Sequence, residues 1–184
     1  MTARVDRAEV RTSGGRSITA SFEIRNLSSE SWRPLEGFAV GCHIFDPETD
    51  TLVTDGPRTA PEADIAPGEA RRFELHFELP PEPGRYRVFV SGLREHAYWL
   101  YERGAEFLLI DGAVDGGRAR VDGFRVATEA KVRRERFLRS VRRSFTLPFE
   151  TIARNRSLIR TMVRRDVLGR YRGSFGGVDR KSVV

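Results

Sequence analysis

The sequence predicts a mainly β chain, an immunoglobulin-like antiparallel β-sandwich followed by basic amphipathic α-helices. Three observations carry that prediction. Stretches of apolar–polar alternation recur through residues 1–112, as expected of strands with one buried and one wet face. Clusters of Pro, Gly and Asp punctuate them at intervals of about ten residues, with no helical period in between. From Thr128 onward the period becomes helical and arginine dominates the composition.

The strands can be taken in order. "SITASFEI" puts Ile18, Ala20, Phe22 and Ile24 on one face, and "FAVGCHIF" does the same with Phe38, Val40, Cys42 and Ile44. "RFELHFEL" aligns Phe73, Leu75, Phe77 and Leu79, and "GRYRVFVSGL" aligns Tyr86, Val88 and Val90. Tight turns are expected at "DPETD" (46–50) and "TDGP" (54–57). "IAPGEA" and "LPPEPGRY" carry Pro and Gly where a central strand cannot continue. Seven to nine strands are expected through Asp111. Trp32, in "NLSSESWRP", suits a lid on one end of the sandwich.

Charge divides the chain. Residues 1–112 hold 13 Lys and Arg against 19 Asp and Glu; residues 113–184 hold 19 against 7. The acidic part has no reason to seek polyanions, whereas the basic part suits nucleic acid or an anionic membrane surface. No run approaches the ~18 apolar residues of a spanning helix. The start, "MTARVDRAEVRTSGG", has no apolar signal region. The sandwich is therefore expected to be cytosolic.

Catalysis is not expected. His43, His76 and His96 fall on separate segments without metal-ligand spacing, and GxSxG, phosphate-loop and HExxH patterns are absent from the sequence. His43 and His76 sit in the polar phase of their strands and are expected to be solvated. Cys42, the single cysteine, reads as a small core residue. No metal and no cofactor are expected. Binding remains. "REHAYWLYERG" brings His96, Tyr98, Trp99 and Tyr101 close together, and their rings suit the apolar C–H faces of a sugar. The competing reading, preferred for Trp99, makes it a plug in the sandwich core, with Tyr98 and Tyr101 near a rim.

Residues 113–145 are expected to form a basic connector: a glycine-rich loop with one short strand, "DGAVDGGRARVDGF", then a helix with Thr128 as a possible N-cap and Glu129 in the first turn. Val132, Phe137, Leu138 and Val141 make its narrow apolar stripe. A second helix is expected over 146–177, with Thr146, Pro148 and Glu150 as start signals. At 100° per residue Phe149, Ile152, Leu158, Ile159, Met162, Val163 and Val167 fall within half the circumference. Arg154, Arg164 and Arg165 lie on the other half, Arg156 and Arg160 intrude at one edge of the apolar arc, and Arg170 and Arg172 follow. The pattern fits an arginine-rich nucleic-acid binder or a helix lying in a membrane interface.

Two resemblances bear on these readings. "NLSSESWRP", "VGCHIFDPETDTLVTDGPRT", "IAPGEARRFELHFELPPEPGRYRVFVS" and "AYWLYERG", in that order, resemble the β-sandwich appended to O-antigen and other polysaccharide ABC transporters, over about residues 5–112. Similar modules accompany some glycosyltransferases and sugar-pathway methyltransferases. "RNRSLIRTMVRRDVLGRYRGSFGG" resembles the start of polysaccharide-export permease subunits, ahead of their first spanning helix. Together they imply an exporter membrane subunit at the cytosolic face of the bacterial inner membrane. The sandwich would bind a lipid-linked polysaccharide, the arginines named above would meet the anionic surface, and the full-length protein would be a homodimer. A separate subunit would hydrolyse ATP. Where that family continues with a spanning helix, residues 178–184 read "VDRKSVV". Asp179–Val184 is the translation of GATCGGAAGAGCGTCGTG, a common sequencing adapter, so this tail is expected to be foreign and the chain a fragment.

Overall fold

A computed structural model describes residues 2–138. Nine strands follow one another: β1 (Ala3–Gly14), β2 (Ser17–Asn26), β3 (Phe38–Phe45), β4 (Leu52–Thr59), β5 (Ala70–Glu78), β6 (Gly84–Arg94), β7 (Tyr98–Trp99), β8 (Phe107–Asp115) and β9 (Arg118–Ala127). They form two antiparallel sheets. The small sheet runs β1-β2-β5; the large one runs β4-β3-β6-β8-β9, with β7 added alongside β6. Helical backbone occupies residues 129–138.

The alternating apolar positions explain the layering. Ile18, Ala20, Phe22, Ile24, Phe73, Leu75 and Phe77 of the small sheet meet Val40, Cys42, Ile44, Val88, Val90, Leu108 and Ile110 of the large sheet in one buried cluster. Phe22 and Phe73 face each other across the β2–β5 pairing and their rings stack at 6.2 Å. Each fully buried side chain of this size contributes about 1.5–3 kcal/mol through burial. The predicted faces of the four strands are the faces that the structure buries.

One end of the sandwich is closed by a polar staple. Asn26 is fully buried. Its Nδ2 donates to the carbonyls of Glu30 (2.8 Å) and Ile65 (3.0 Å), and its Oδ1 accepts from the Ser28 N–H (2.9 Å) and hydroxyl (2.7 Å). That fixes the loop leading to Trp32, which exchanges two backbone hydrogen bonds with Ile65 and stacks on Phe38 at 4.6 Å. Trp32 thus caps an end of the core, as its place in the sequence suggests.

The structure departs from the sequence reading at three places. "TDGP" lies inside β4 rather than in a turn; β4 is an edge strand, where proline costs no central ladder bond. The sheet also continues past the expected boundary at residue 112: β8 runs to Asp115 and β9 fills most of the expected loop. Gly116 and Gly117, at φ 54° and 73°, make the tight turn between them, a geometry that glycine adopts without strain. The third departure is that the large sheet is apolar on both faces. Ala39, Phe89, Leu93, Phe107 and Leu109, all pointing away from the small sheet, join Trp99, Tyr101, Ala127 and Val132 in a second cluster. The helix begins after Thr128, as expected, with the Val132 N–H bonded to the Thr128 carbonyl at 3.1 Å. The helix expected over 146–177, with Arg154, Arg156, Arg160, Arg164, Arg165, Arg170 and Arg172, and the tail 178–184 lie outside the described residues.

Candidate functional site

The aromatic segment read from the sequence lies on the crossover between β6 and β8. His96 sits at its apex in the left-handed region, φ 58°, with its side chain exposed. Tyr98 and Trp99 pair with Arg94 and Leu93 of β6, and Tyr101 opens a short 3-10 turn. Period two then separates the rings. Tyr98 is half-buried against the inter-sheet core, with the Arg103 guanidinium 4.1 Å over its ring. Trp99 and Tyr101 turn to the other side and are buried in the outer cluster. The four candidate residues do not converge on one surface. Trp99 is a core residue, but of the outer layer rather than the space between the sheets. Tyr101 is buried, not at a rim.

The shelf beneath Trp99 is cut by small residues. Ala39 and Gly41 precede His43 on the outer face of β3. A methyl group on Gly41 would lie 3.1 Å from the Trp99 ring and 3.0 Å from Arg58 Cγ. The indole thus lies close on the strand, 3.9 Å from the His43 ring centroid. The Arg58 guanidinium stands 5.7 Å from the indole centroid and pairs with Asp55 (2.6 Å) and Glu95 (2.7 Å). Glu102 accepts the Trp99 backbone N–H at 3.2 Å.

His43 is the centre that the sequence reading missed. Instead of being solvated, its side chain is 12% exposed. Nδ1 lies 2.8 Å from the Tyr101 hydroxyl, and Nε2 lies 3.5 Å from Asp55 Oδ1. Burial lowers its pKa from the usual histidine value, outweighing the nearby Asp55 and Glu102 carboxylates. Burial likewise pushes the Tyr101 hydroxyl far above the usual tyrosine range, so it stays protonated. A neutral imidazole has one donor and one acceptor nitrogen, which suits a phenol on one side and a carboxylate on the other. The only sequence signal was a histidine in the polar phase of an otherwise apolar strand. His76, by contrast, is exposed as expected, hydrogen-bonded to Thr19 at 2.9 Å.

This arrangement holds structure together rather than presenting reactive groups. Cys42, next to His43 along β3, points to the opposite face into the inter-sheet core; burial pushes its thiol up to about 12. Cysteine and histidine therefore cannot act as a pair. Among the described residues no group of three or more His, Cys, Asp or Glu is placed to hold a metal ion, and no helix is long and apolar enough to cross a membrane.

No family model and no curated protein matches the chain. Among solved structures it is similar to β-glucosidase 3B from Thermotoga neapolitana in complex with glucose, at 15% identity and a TM-score of 0.39, over 65% of this chain and 16% of that one. A β-glucuronidase from glycoside hydrolase family 2 gives 16% identity and 0.34, over 68% and 12%. A protein from Archaeoglobus fulgidus gives 12% and 0.25, over 69% and 93%. The chain thus spans about a sixth or less of the two hydrolases, and scores this low assign neither a fold family nor an activity.

Proposed function

We propose that the chain is the amino-terminal part of the membrane subunit of a polysaccharide ABC exporter of the O-antigen or capsule type. It would carry an immunoglobulin-like, glycan-recruiting sandwich followed by basic amphipathic helices. The observation that carries this reading is the order and spacing of "RNRSLIRTMVRRDVLGRYRGSFGG" downstream of a β-sandwich. The charge division supports it. An acidic sandwich is kept off an anionic leaflet, while an arginine-rich segment is drawn to it at about 1 kcal/mol per basic residue near the surface.

The mechanism is recruitment. The sandwich holds one part of a lipid-linked glycan beside the transporter, a separate subunit supplies ATP hydrolysis, and residues 146–177 set the height of the subunit at the cytosolic face. The apolar arc of that segment enters the acyl boundary, while Arg154, Arg156, Arg160, Arg164 and Arg165 meet headgroups. The full-length subunit works as a homodimer.

The test is co-sedimentation of the full chain with phosphatidylserine-containing and phosphatidylcholine vesicles. Anionic vesicles are expected to retain it. Replacing those five arginines by Gln should release it, and so should Ile159→Asp with Met162→Asp, which spares the charges. Binding to RNA that is indifferent to the apolar-face variant, with no vesicle binding, would refute the reading.

A further inference from the structure

The outer face of the small sheet carries a trough. Strand β2 runs down its middle, and register places Ser21 between Glu9 of β1 and Glu74 of β5, and Thr19 between Arg11 and His76. The centre strand thus carries short hydroxyl residues and the flanking strands carry long charged ones. The result is a trough of about 380 Å³ with Thr19 and Ser21 as its floor. Glu9 and Arg11 line one wall, and Arg72 and Glu74 line the other. On one wall Arg11 pairs with Glu9 at 2.8 Å, and on the floor Thr19 is held by Ser13 (2.7 Å) and His76 (2.9 Å). Among the described residues Ser21 and Arg72 spend no side-chain donor on a neighbour.

We infer that this trough binds a short stretch of neutral polysaccharide, one to two sugar rings. The size is at the small end of ligand sites, which begin at about 300 Å³. Two carboxylates and two guanidiniums sum to no net charge, so neither a polyanion nor a polycation is favoured. No apolar side chain lines it, which removes the anchor that a lipid tail or an apolar peptide needs. Vicinal hydroxyls suit the set that is there: a carboxylate accepts from two of them, a guanidinium donates to two, and serine and threonine do either. The aromatic platform expected from the sequence cannot serve instead, since Trp99 and Tyr101 are buried and Arg103 covers a face of Tyr98. The inference deepens the glycan-recruiting half of the reading above and rests on it for the source of the ligand.

The experiment presents the full chain to an immobilised panel of neutral, acidic and amino-sugar bacterial polysaccharides. Retention of at least one neutral polymer is expected. Ser21→Ile, which raises the floor and removes a hydroxyl while keeping strand propensity, should weaken it at least tenfold, and so should Arg72→Ala paired with Glu74→Ala. Circular dichroism confirms that each variant is folded. Equal retention by wild type and folded variants overturns the location while leaving glycan recruitment standing. Retention of acidic polymers alone, or of none, overturns the inference. Self-association of the wild type that Ser21→Ile abolishes would make the face a contact between copies, and also overturns it. Vesicle binding tests the exporter assignment separately, so the two can fail independently.

Discussion

Asn26→Asp changes one buried atom from donor to acceptor and leaves the shape alone. In the native chain Nδ2 gives its two hydrogens to the carbonyls of Glu30 and Ile65. The Ile65 carbonyl keeps the Trp32 N–H at 2.9 Å, whereas the Glu30 carbonyl has only the Ser28 hydroxyl at 2.9 Å, whose single hydrogen it shares with Asn26 Oδ1. The cost is therefore two lost bonds, at about 1 kcal/mol each, plus the approach of an oxygen to two carbonyl oxygens in a site closed to water. We expect a loss of about 2–4 kcal/mol at pH 7. The introduced carboxyl must also prefer its protonated form in the fold, because that form restores one donor. Its folded pKa is thus raised, so the native state keeps most of its stability at acid pH and loses it as pH rises through that pKa. Urea unfolding followed by tryptophan fluorescence between pH 4.5 and 8 measures both. A penalty under about 0.5 kcal/mol at pH 7, or one that does not change with pH, would refute the reasoning.

Other expectations follow from the same structure. Cys42 should resist thiol reagents in the native chain at pH 8 and react fully on unfolding, because its thiol is buried and its pKa is about 12; fast native-state labelling would contradict its placement. His43 should make the chain less stable as pH falls below its ordinary value of 6.5, since the folded state disfavours the charged ring. His43→Gln should flatten that slope between pH 7 and 5.5, above the window in which carboxylates titrate. Gly112→Ala should cost about 1–3 kcal/mol, because its methyl group would stand 2.9 Å from the Arg120 carbonyl across the β8–β9 ladder, and an unchanged unfolding midpoint would count against the close approach. Gly41→Ala, with its methyl group against the Trp99 ring, should shift tryptophan emission to the red as the indole lifts towards water.

The legible parts of the fold were those where one physical signal acted alone. Ile18, Ala20, Phe22 and Ile24 alternate because only one side of β2 is covered, and the structure buries all four. In β6 and β8 the signal is mixed. "RVFV" and "FLLI" place apolar residues on both faces, because Phe89, Phe107 and Leu109 meet the outer cluster while Val88, Val90, Leu108 and Ile110 meet the inner one. A continuous apolar run gives burial but not the identity of what lies on each side. Strand β9 was expected only as one short strand in a loop, for another reason. It is an edge strand studded with Arg118, Arg120 and Arg125, the kind of charge that edges carry against unwanted pairing, and it follows a glycine pair that reads as loop. The candidate site was half legible. Its aromatic residues were found, but their division between two faces depends on where a two-residue strand docks, which no local pattern specifies. The basic segment 146–177 lies outside the described residues.

The two sheets have been put to different uses by the same alternation rule. The large sheet carries apolar residues outward as well as inward, and the crossover holding Trp99 and Tyr101 is drawn down over that face. Most of its polar groups go to internal partners: His43 to Tyr101, Arg58 to Asp55 and Glu95, and Arg87 Nε to Asp111 at 2.8 Å, although Arg87 Nη1 is buried without a partner. The rings are packed on one another and most of the polar groups are spent internally, which leaves little of this face for a ligand. The small sheet does the reverse. With Ile18, Ala20, Phe22 and Ile24 of β2 and Phe73, Leu75 and Phe77 of β5 directed inward, its outer positions opposite them are free of packing demands and carry hydroxyls and charges along a trough. Recognition there would consist of hydrogen bonds, each worth only about 0.5–1.5 kcal/mol net. Single-site affinity would then be modest, and useful retention would come from a repeating polymer that offers the same site many equivalent segments.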